Sequence, residues 1–150
     1  MQLLITGTQG KGFEQFIKEL SSFKYRDEVQ VMAGRPATEQ AKIMAAAYAF
    51  VFPSLSGDFP SLTLTAMQSG VPVIASGHFS FPEILGSAAL YADPGNFNAI
   101  AEKMMLVYKD EQKRKALISE GFVQAKKYDR DIAANSLWQA ITGTIQPETA

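Results

Sequence analysis

The sequence has 150 residues, enough for one domain with a sizeable buried core. Its 47% hydrophobic and 19% charged content excludes a disordered chain. A net charge of −1 gives no global reason to bind nucleic acid or an anionic membrane surface, and the absence of cysteine excludes disulfides and thiolate zinc sites.

A single histidine, His78, argues against a protein-built transition-metal site, and the lack of cysteine fits a reducing compartment. Met1 to Gly7 runs from an apolar stretch straight into glycine, without the basic start of a signal peptide. Ile43 to Leu55, an uncharged apolar stretch, is too short to span a bilayer and is interrupted by Pro53. The expectation is a cytoplasmic domain without a transmembrane segment.

Apolar runs and helical patterns alternate along the chain. Leu3 to Thr6 reads as a short buried strand ending at Gly7. After the loop Thr8 to Gly12, residues Phe13, Phe16, Ile17 and Leu20 fall at the i, i+3, i+4, i+7 spacing of a helix. Val29 to Met32 predicts a second strand, closed by Gly34-Arg35-Pro36, and an alanine-rich helix follows from about Thr38 to Ala47. Ala49 to Phe52 predicts the third strand, stopped by Pro53-Ser54.

Leu62 to Ser69 predicts a helix, with Pro60 where a first-turn proline is tolerated and Gly70 as the stop. Val71 to Ala75 is the fourth strand, and a short helix begins near Pro82-Glu83. Ala88 to Ala92 is the fifth strand, ended by Asp93-Pro94-Gly95. From Asn96 the chain reads as helical almost to its end, with Asn96 and Asp110 as N-caps and Gly121 and Tyr128-Asp129 as breaks.

Short strands separated by helices imply right-handed crossovers and an α/β fold. The expected form is a Rossmann-like parallel sheet of about five strands with helices on both faces. No linker, repeat or low-complexity segment appears, so residues 1–150 are read as a single domain, frayed from Gln146 onward. The sheet begins abruptly at its first strand, which suggests a piece of a larger protein.

In such a sheet, ligands gather beyond the carboxyl ends of the strands. Here those ends are Gly7 to Gly12, Gly34 to Pro36, Pro53 to Ser61, Ser76 to Pro82, and Asp93 to Asn96. Glycine lets a backbone approach closely, and a helix N-terminus offers free N–H groups and partial positive charge, so this rim suits a phosphate. The Gly7-Thr8-Gln9-Gly10-Lys11-Gly12 loop matches neither the dinucleotide fingerprint nor a Walker A loop. It reads equally as a turn with Lys11 in solvent or as a turn with a phosphate contact.

Ser54 to Thr63 is more informative: a polar, glycine-containing loop leading from a buried strand into a helix. Its amides suit a diphosphate without a metal, while helix capping by Ser and Thr and a first-turn acid at Asp58 are the plain alternatives. His78, isolated in a loop, and Glu83, in a first helical turn, read more readily as structural than catalytic. Lys103 to Asp131 alternates acids and bases like a solvated helical face. Trp138, among Leu137 and Ile141, reads as core or interface packing.

Three segments together resemble a known family: Ala49 to Leu55, then Ala66-Met67, then Gly70 to Ser76. The match continues through Pro82-Glu83-Ile84 and Ala88 to Pro94. They look like the C-terminal, donor-binding domain of retaining glycosyltransferases of the GT-B fold, in the "group 1" family. The resemblance covers nearly the whole chain and is most specific in its middle part.

That family normally carries Glu-Gly-Phe-(Gly or Pro) after its Phe-Pro-Ser strand, with a second Glu further along. The first works near the sugar and the second grips the donor ribose. The aligned positions here hold Gly57 and Thr65, while Phe59, Pro60, Ala66 and Met67 keep their places. Both acids are missing, and Asp58 beside the first vacant position is the candidate substitute. A neutral threonine in place of a carboxylate on a ribose diol weakens binding by about 1.5–3 kcal/mol.

The resemblance implies a parent enzyme transferring a sugar from a nucleotide-diphosphate donor to a glycan or lipid-linked acceptor. It implies retention of configuration, no bound metal and no cofactor. The nucleobase would lie near Gly34 and Arg35, the diphosphate near Asp58, Phe59, Pro60, Ser61 and Leu62, and the ribose near Thr65, with Gly10 and Lys11 as weaker candidates. The segment would lack the first strand and helix of the family's domain and the whole N-terminal acceptor domain, its expected partner, and would be inactive alone. Peripheral association with the inner face of a membrane stays open. The rival reading is a degenerate, non-catalytic domain kept as a partner-binding or regulatory module. A sugar-nucleotide epimerase or a phosphorylase is a weaker third reading; a phosphorylase would need a pyridoxal phosphate lysine, and nothing marks one.

Overall fold

Among the described residues five strands form, and every strand pair is parallel. A computed structural model describes residues 2–56 and 59–145, apart from the side chain of Ile145. β1 (Leu3–Gly7) pairs with β2 (Val29–Ala33), Leu3 opposite Val29 and Gly7 opposite Ala33. β3 (Phe50–Phe52), β4 (Val73–Ser76) and β5 (Ala89–Ala92) pair in that order, with β4 in the middle. The chain is thus the predicted α/β type, but its strands hydrogen-bond as a ladder of two and a ladder of three instead of one continuous ladder. The chain likewise divides into two compact units, Met1–Ile43 and Met44–Ala150.

In the first unit, α1 (Phe13–Ser21) follows the predicted apolar spacing, although none of its residues is fully buried. Gly34 ends β2 at φ +70, and its N–H donates to the Gly7 carbonyl at 2.9 Å. An L side chain is disfavoured at that φ, so glycine is required by backbone conformation and not by crowding. α2 (Ala37–Ala46) runs across the boundary between the units.

The second unit shows why period-two alternation demands helices on both faces. Val73 and Ala75 join one core with Leu64 and Met67 of α3 (Ser61–Gln68), Phe81 and Leu85 of α4 (Phe81–Leu85), and Ala125 of α6 (Glu111–Ala125). Ile74, one residue out of phase, packs on the opposite face with Val107 of α5 (Phe97–Lys109) and Leu117 of α6. Phe81 and Leu85 are wholly buried, each contributing about 1.5–3 kcal/mol of hydrophobic stabilisation.

Local signals set the helix boundaries. Asn96 and Asp110 cap α5 and α6, their side chains accepting the N–H groups of Ala99 at 3.0 Å and Lys113 at 2.8 Å. The Tyr128-Asp129 break stands before α7 (Arg130–Ile145), with the Asp129 carboxylate accepting the Asp131 N–H. Gly121 does not break α6; it lies inside the helix against Met67 of α3. The fourth strand begins at Val73 and not at Val71, because Pro72 has no N–H for the ladder; its carbonyl accepts the Phe50 N–H at 2.9 Å. Trp138 is no core residue: it is 66% exposed, beside exposed Leu137 and Ile141 on α7.

Candidate functional site

Because β3, β4 and β5 are parallel, their carboxyl ends share one edge, and three loops leave from it. The first leads from β3 into α3. Gly57 and Asp58, two positions singled out in the sequence, lie outside the described residues. Further along, the Ser61 N–H is already taken by the Phe59 carbonyl at 2.8 Å. The Thr63 and Leu64 N–H groups both reach the Pro60 carbonyl at 3.1 Å, and Pro60 itself has no N–H. The Leu62 N–H and the exposed Ser61 hydroxyl are left without acceptors among the described residues.

The hydroxyls of this segment do not cap α3. Thr63 Oγ1 is buried and donates to the Pro60 carbonyl at 2.6 Å. Thr65 Oγ1 donates to the Ser61 carbonyl at 3.0 Å. Pro60 takes the N-cap position, without a side-chain cap, one place before the expected first turn. The Phe59 ring is 60% exposed and meets Tyr128 edge-on, 6.4 Å between centroids. The second sheet unit therefore carries Phe59, Pro60, Ser61, Leu62 and Thr65 on one short stretch, with fewer free amides than the sequence suggested.

The second loop leaves the central strand. Gly77 N–H donates to the Ala92 carbonyl at 3.0 Å, and His78 N–H to the Ser76 hydroxyl at 3.3 Å. The His78 ring nitrogens have no hydrogen-bond partner among the described residues; the ring stands edge-on to Phe79 at 6.2 Å. Phe79 has φ +60, a left-handed conformation that costs an L residue about 1–2 kcal/mol. Its neighbour Ser80 has a buried hydroxyl without a hydrogen-bond partner. Sequence reasoning passed over both residues. Phe79 offers no signal, since nothing local asks a phenylalanine to adopt positive φ. Ser80 does offer one, the S-x-x-E spacing to Glu83.

The third loop is locally satisfied. Asp93 Oδ1 accepts the Gly95 N–H at 2.8 Å, and Asn96 caps α5. The nearby Tyr91 hydroxyl donates to the Gly86 carbonyl at 2.5 Å, and burial pushes its pKa up to about 12. Among the described residues, no three His, Asp or Glu side chains gather as metal ligands, and no helix is long and apolar enough to cross a membrane.

The first unit has its own strand-end residues. The Gly10 carbonyl accepts the Phe13 N–H at 3.1 Å, and Gly12 stands at the N-cap of α1. A cleft of about 420 Å³ is lined by Gln9, Gly10, Gly12, Phe13, Glu14 and Gln15. Glu14 in that cleft opposes an anion, which weighs against a phosphate at Gly10 and Lys11. Arg35 pairs loosely with Glu39 at 3.7 Å, and its carbonyl accepts from Gln40 at 2.8 Å. Half-exposed, that guanidinium keeps donors available.

Parallel ladders, helices over both faces of the larger one, and polar loops beyond the strand ends define an α/β protein of the Rossmann-like kind. Residues 1–124 match the family model of group 1 glycosyl transferases, and the chain belongs to that family. It is 37% identical to the O-antigen chain mannosyltransferase B of Escherichia coli over 93 residues, 62% of this chain and 24% of that protein. It is 28% identical to the sulfoquinovosyl transferase SQD2 of Arabidopsis thaliana, covering 83% of this chain and 26% of that one. The chain thus spans about a quarter of the length of these relatives.

Solved structures show the same fold. HepE of Anabaena, in complex with UDP, superposes with a TM-score of 0.82 at 19% identity, over 95% of this chain and 41% of that one. Sucrose-phosphate synthase from Thermosynechococcus elongatus gives 0.81 at 21% identity, over 95% and 39%.

Proposed function

We propose that this chain is the donor-binding part of a glycosyltransferase, taking a nucleotide-diphosphate sugar at the strand-end loops. The observation that carries this reading is the family match over residues 1–124. It runs through the stretch in which Phe59 to Leu62 feeds α3, where the Leu62 N–H and the Ser61 hydroxyl have no acceptor among the described residues. Two relatives named as sugar transferases support it. So does the fold shared with a protein solved with UDP and glucose, 20% identical and with a TM-score of 0.80.

In this reading Gly34 and Arg35 meet the nucleobase, Asp58 to Leu62 the diphosphate, and Thr65 the ribose; Gly10 and Lys11 are secondary. Donor phosphates are held by N–H and hydroxyl groups without a metal. The parent enzyme retains anomeric configuration, and a separate N-terminal domain binds the glycan or lipid-linked acceptor.

The neutral residues at Gly57 and Thr65 favour a second reading, a non-catalytic family member that binds a partner. An NMR titration of the 150-residue chain with UDP, GDP and ADP, with and without magnesium, separates the two. Saturable binding of one nucleotide, with shifts at Gly34, Leu62 and Thr65 and no magnesium dependence, is the expected result. No binding by this chain or by a longer parent chain would overturn the donor reading.

A further inference from the structure

The loop between β4 and α4 holds two local conflicts side by side. Among the described residues, Phe79 alone is a non-glycine at positive φ. Its ring stays 60% exposed, so packing within this chain does not offset the crowding between side chain and backbone. Next to it, the Ser80 hydroxyl is shut away from solvent without a hydrogen-bond partner, an unfavourable state for a polar atom.

The sequence carries a remedy for both. Ser80 and Glu83 have the spacing of a capping box. In that motif the serine hydroxyl accepts the N–H of the glutamate, whose carboxylate accepts the N–H of the serine. The box is not made here: Ser80 has helical angles, φ −75 and ψ −10, and no side-chain cap. An N-cap serine needs extended angles instead. Rotation of the backbone at residues 78–80 can bring Phe79 to negative φ, Ser80 to an extended conformation, and the box to closure together. The flanks of this segment are anchored, Gly77 by its bond to Ala92 and Phe81 by complete burial.

We propose that residues 78–80 form a two-state loop on the central strand of the ligand edge. One state is the left-handed conformation with the Phe79 ring exposed. The other is a capped state in which Phe79 relaxes and Ser80 and Glu83 exchange hydrogen bonds. A ligand that touches the exposed ring selects the left-handed state, because a differential contact is what shifts such an equilibrium. The ligand half of this proposal rests on the donor reading above.

Amide relaxation dispersion and hydrogen exchange on the 150-residue chain test it without any ligand. Exchange broadening confined to residues 78–84 is expected, with a protected Glu83 N–H. Phe79→Gly removes the left-handed penalty and raises that state about tenfold, quenching the broadening. Ser80→Ala moves the same resonances in the same direction and abolishes the Glu83 protection. A single sharp set of resonances in all three proteins, with Glu83 unprotected throughout, overturns the two-state loop.

Addition of UDP or UDP-glucose then tests selection. Movement of the wild-type resonances toward their Phe79→Gly positions is the expected result. Shifts at Leu62 and Thr65 with an unchanged loop population overturn ligand selection but leave the donor reading standing. No shifts with UDP, UDP-glucose, GDP or ADP, in this chain and in a longer parent chain, overturn the donor reading and ligand selection with it, while the ligand-free exchange still decides whether the loop has two states.

Discussion

The Thr65 hydroxyl donates to the Ser61 carbonyl one helical turn back, at 3.0 Å. Its proton is committed to its own helix, and its oxygen offers only neutral acceptor lone pairs. A carboxylate at this exposed position accepts two charge-assisted bonds from a diol, which no threonine matches. Thr65→Glu is therefore expected to tighten nucleoside diphosphate binding about tenfold or more, equivalent to about 1.5–3 kcal/mol. Isothermal titration of both proteins with UDP and GDP checks this; equal affinities would remove Thr65 from the ribose site.

Gly121 of α6 lies against Met67 of α3. A Cβ placed there stands 3.3 Å from Met67 Cγ and 3.4 Å from its Cβ. Replacing glycine by alanine inside a helix gains about 1 kcal/mol in propensity, but overpacking a core costs about 1–3 kcal/mol. The crowded atoms are not the flexible end of the methionine but lie close to the backbone of a 2% exposed residue. Gly121→Ala should destabilise the chain by about 1 kcal/mol and Gly121→Leu by more, read as a lower midpoint in urea. A higher midpoint for Gly121→Ala would show that α6 shifts freely over α3.

Tyr91 sets a limit at alkaline pH. Burial raises its pKa from 10.0 to about 12, so the folded chain holds this proton more tightly than the unfolded chain does. Its stabilising contribution is complete below about pH 10 and is lost as pH rises toward 12, because the unfolded state then binds fewer protons than the folded one. Tyr91→Phe should lower stability at neutral pH by about 1 kcal/mol through loss of the bond to Gly86. The variant should also lose less stability than wild type between pH 10 and 12. Parallel denaturation curves across that window would refute the assignment.

Asn96 and Asp110 test the caps. Each side chain satisfies an amide in the first turn of its helix, and alanine there costs about 1 kcal/mol. Both helices pack on the β3-β4-β5 unit, so each substitution should lower the melting temperature by about 2–4 °C. Being at opposite ends of α5, the two changes should add.

Much of this fold is visible in the residues themselves. The alternation of Val73, Ile74 and Ala75 announces a strand covered on both sides, and each residue indeed enters the core on its own face. Asn96, Asp110 and the Tyr128-Asp129 pair act through bonds to amides two or three residues away, so their roles can be read locally. The segments from Ala49 to Pro94 that resembled the group 1 family lie within the span that matches its model.

Other features depend on distant partners. Gly121 looks like a helix break because glycine is a poor helix former, yet its place is dictated by Met67, remote in sequence. The Ser61 amide looks available from its position at a helix start, and is taken up by the fold of Phe59 and Pro60.

By itself the sequence determined the alternation of strands and helices, the parallel class and the family, because periodicity, proline and short-range capping act within a few residues. Only the tertiary structure decided which strands share a ladder, which amides at the start of α3 are taken up by Phe59 and Pro60, and that Phe79 stands in a left-handed conformation beside a Ser80 whose buried hydroxyl has no partner among the described residues. These depend on where remote backbone and side-chain atoms compete for the same space and the same hydrogen bonds, and no local pattern encodes that competition.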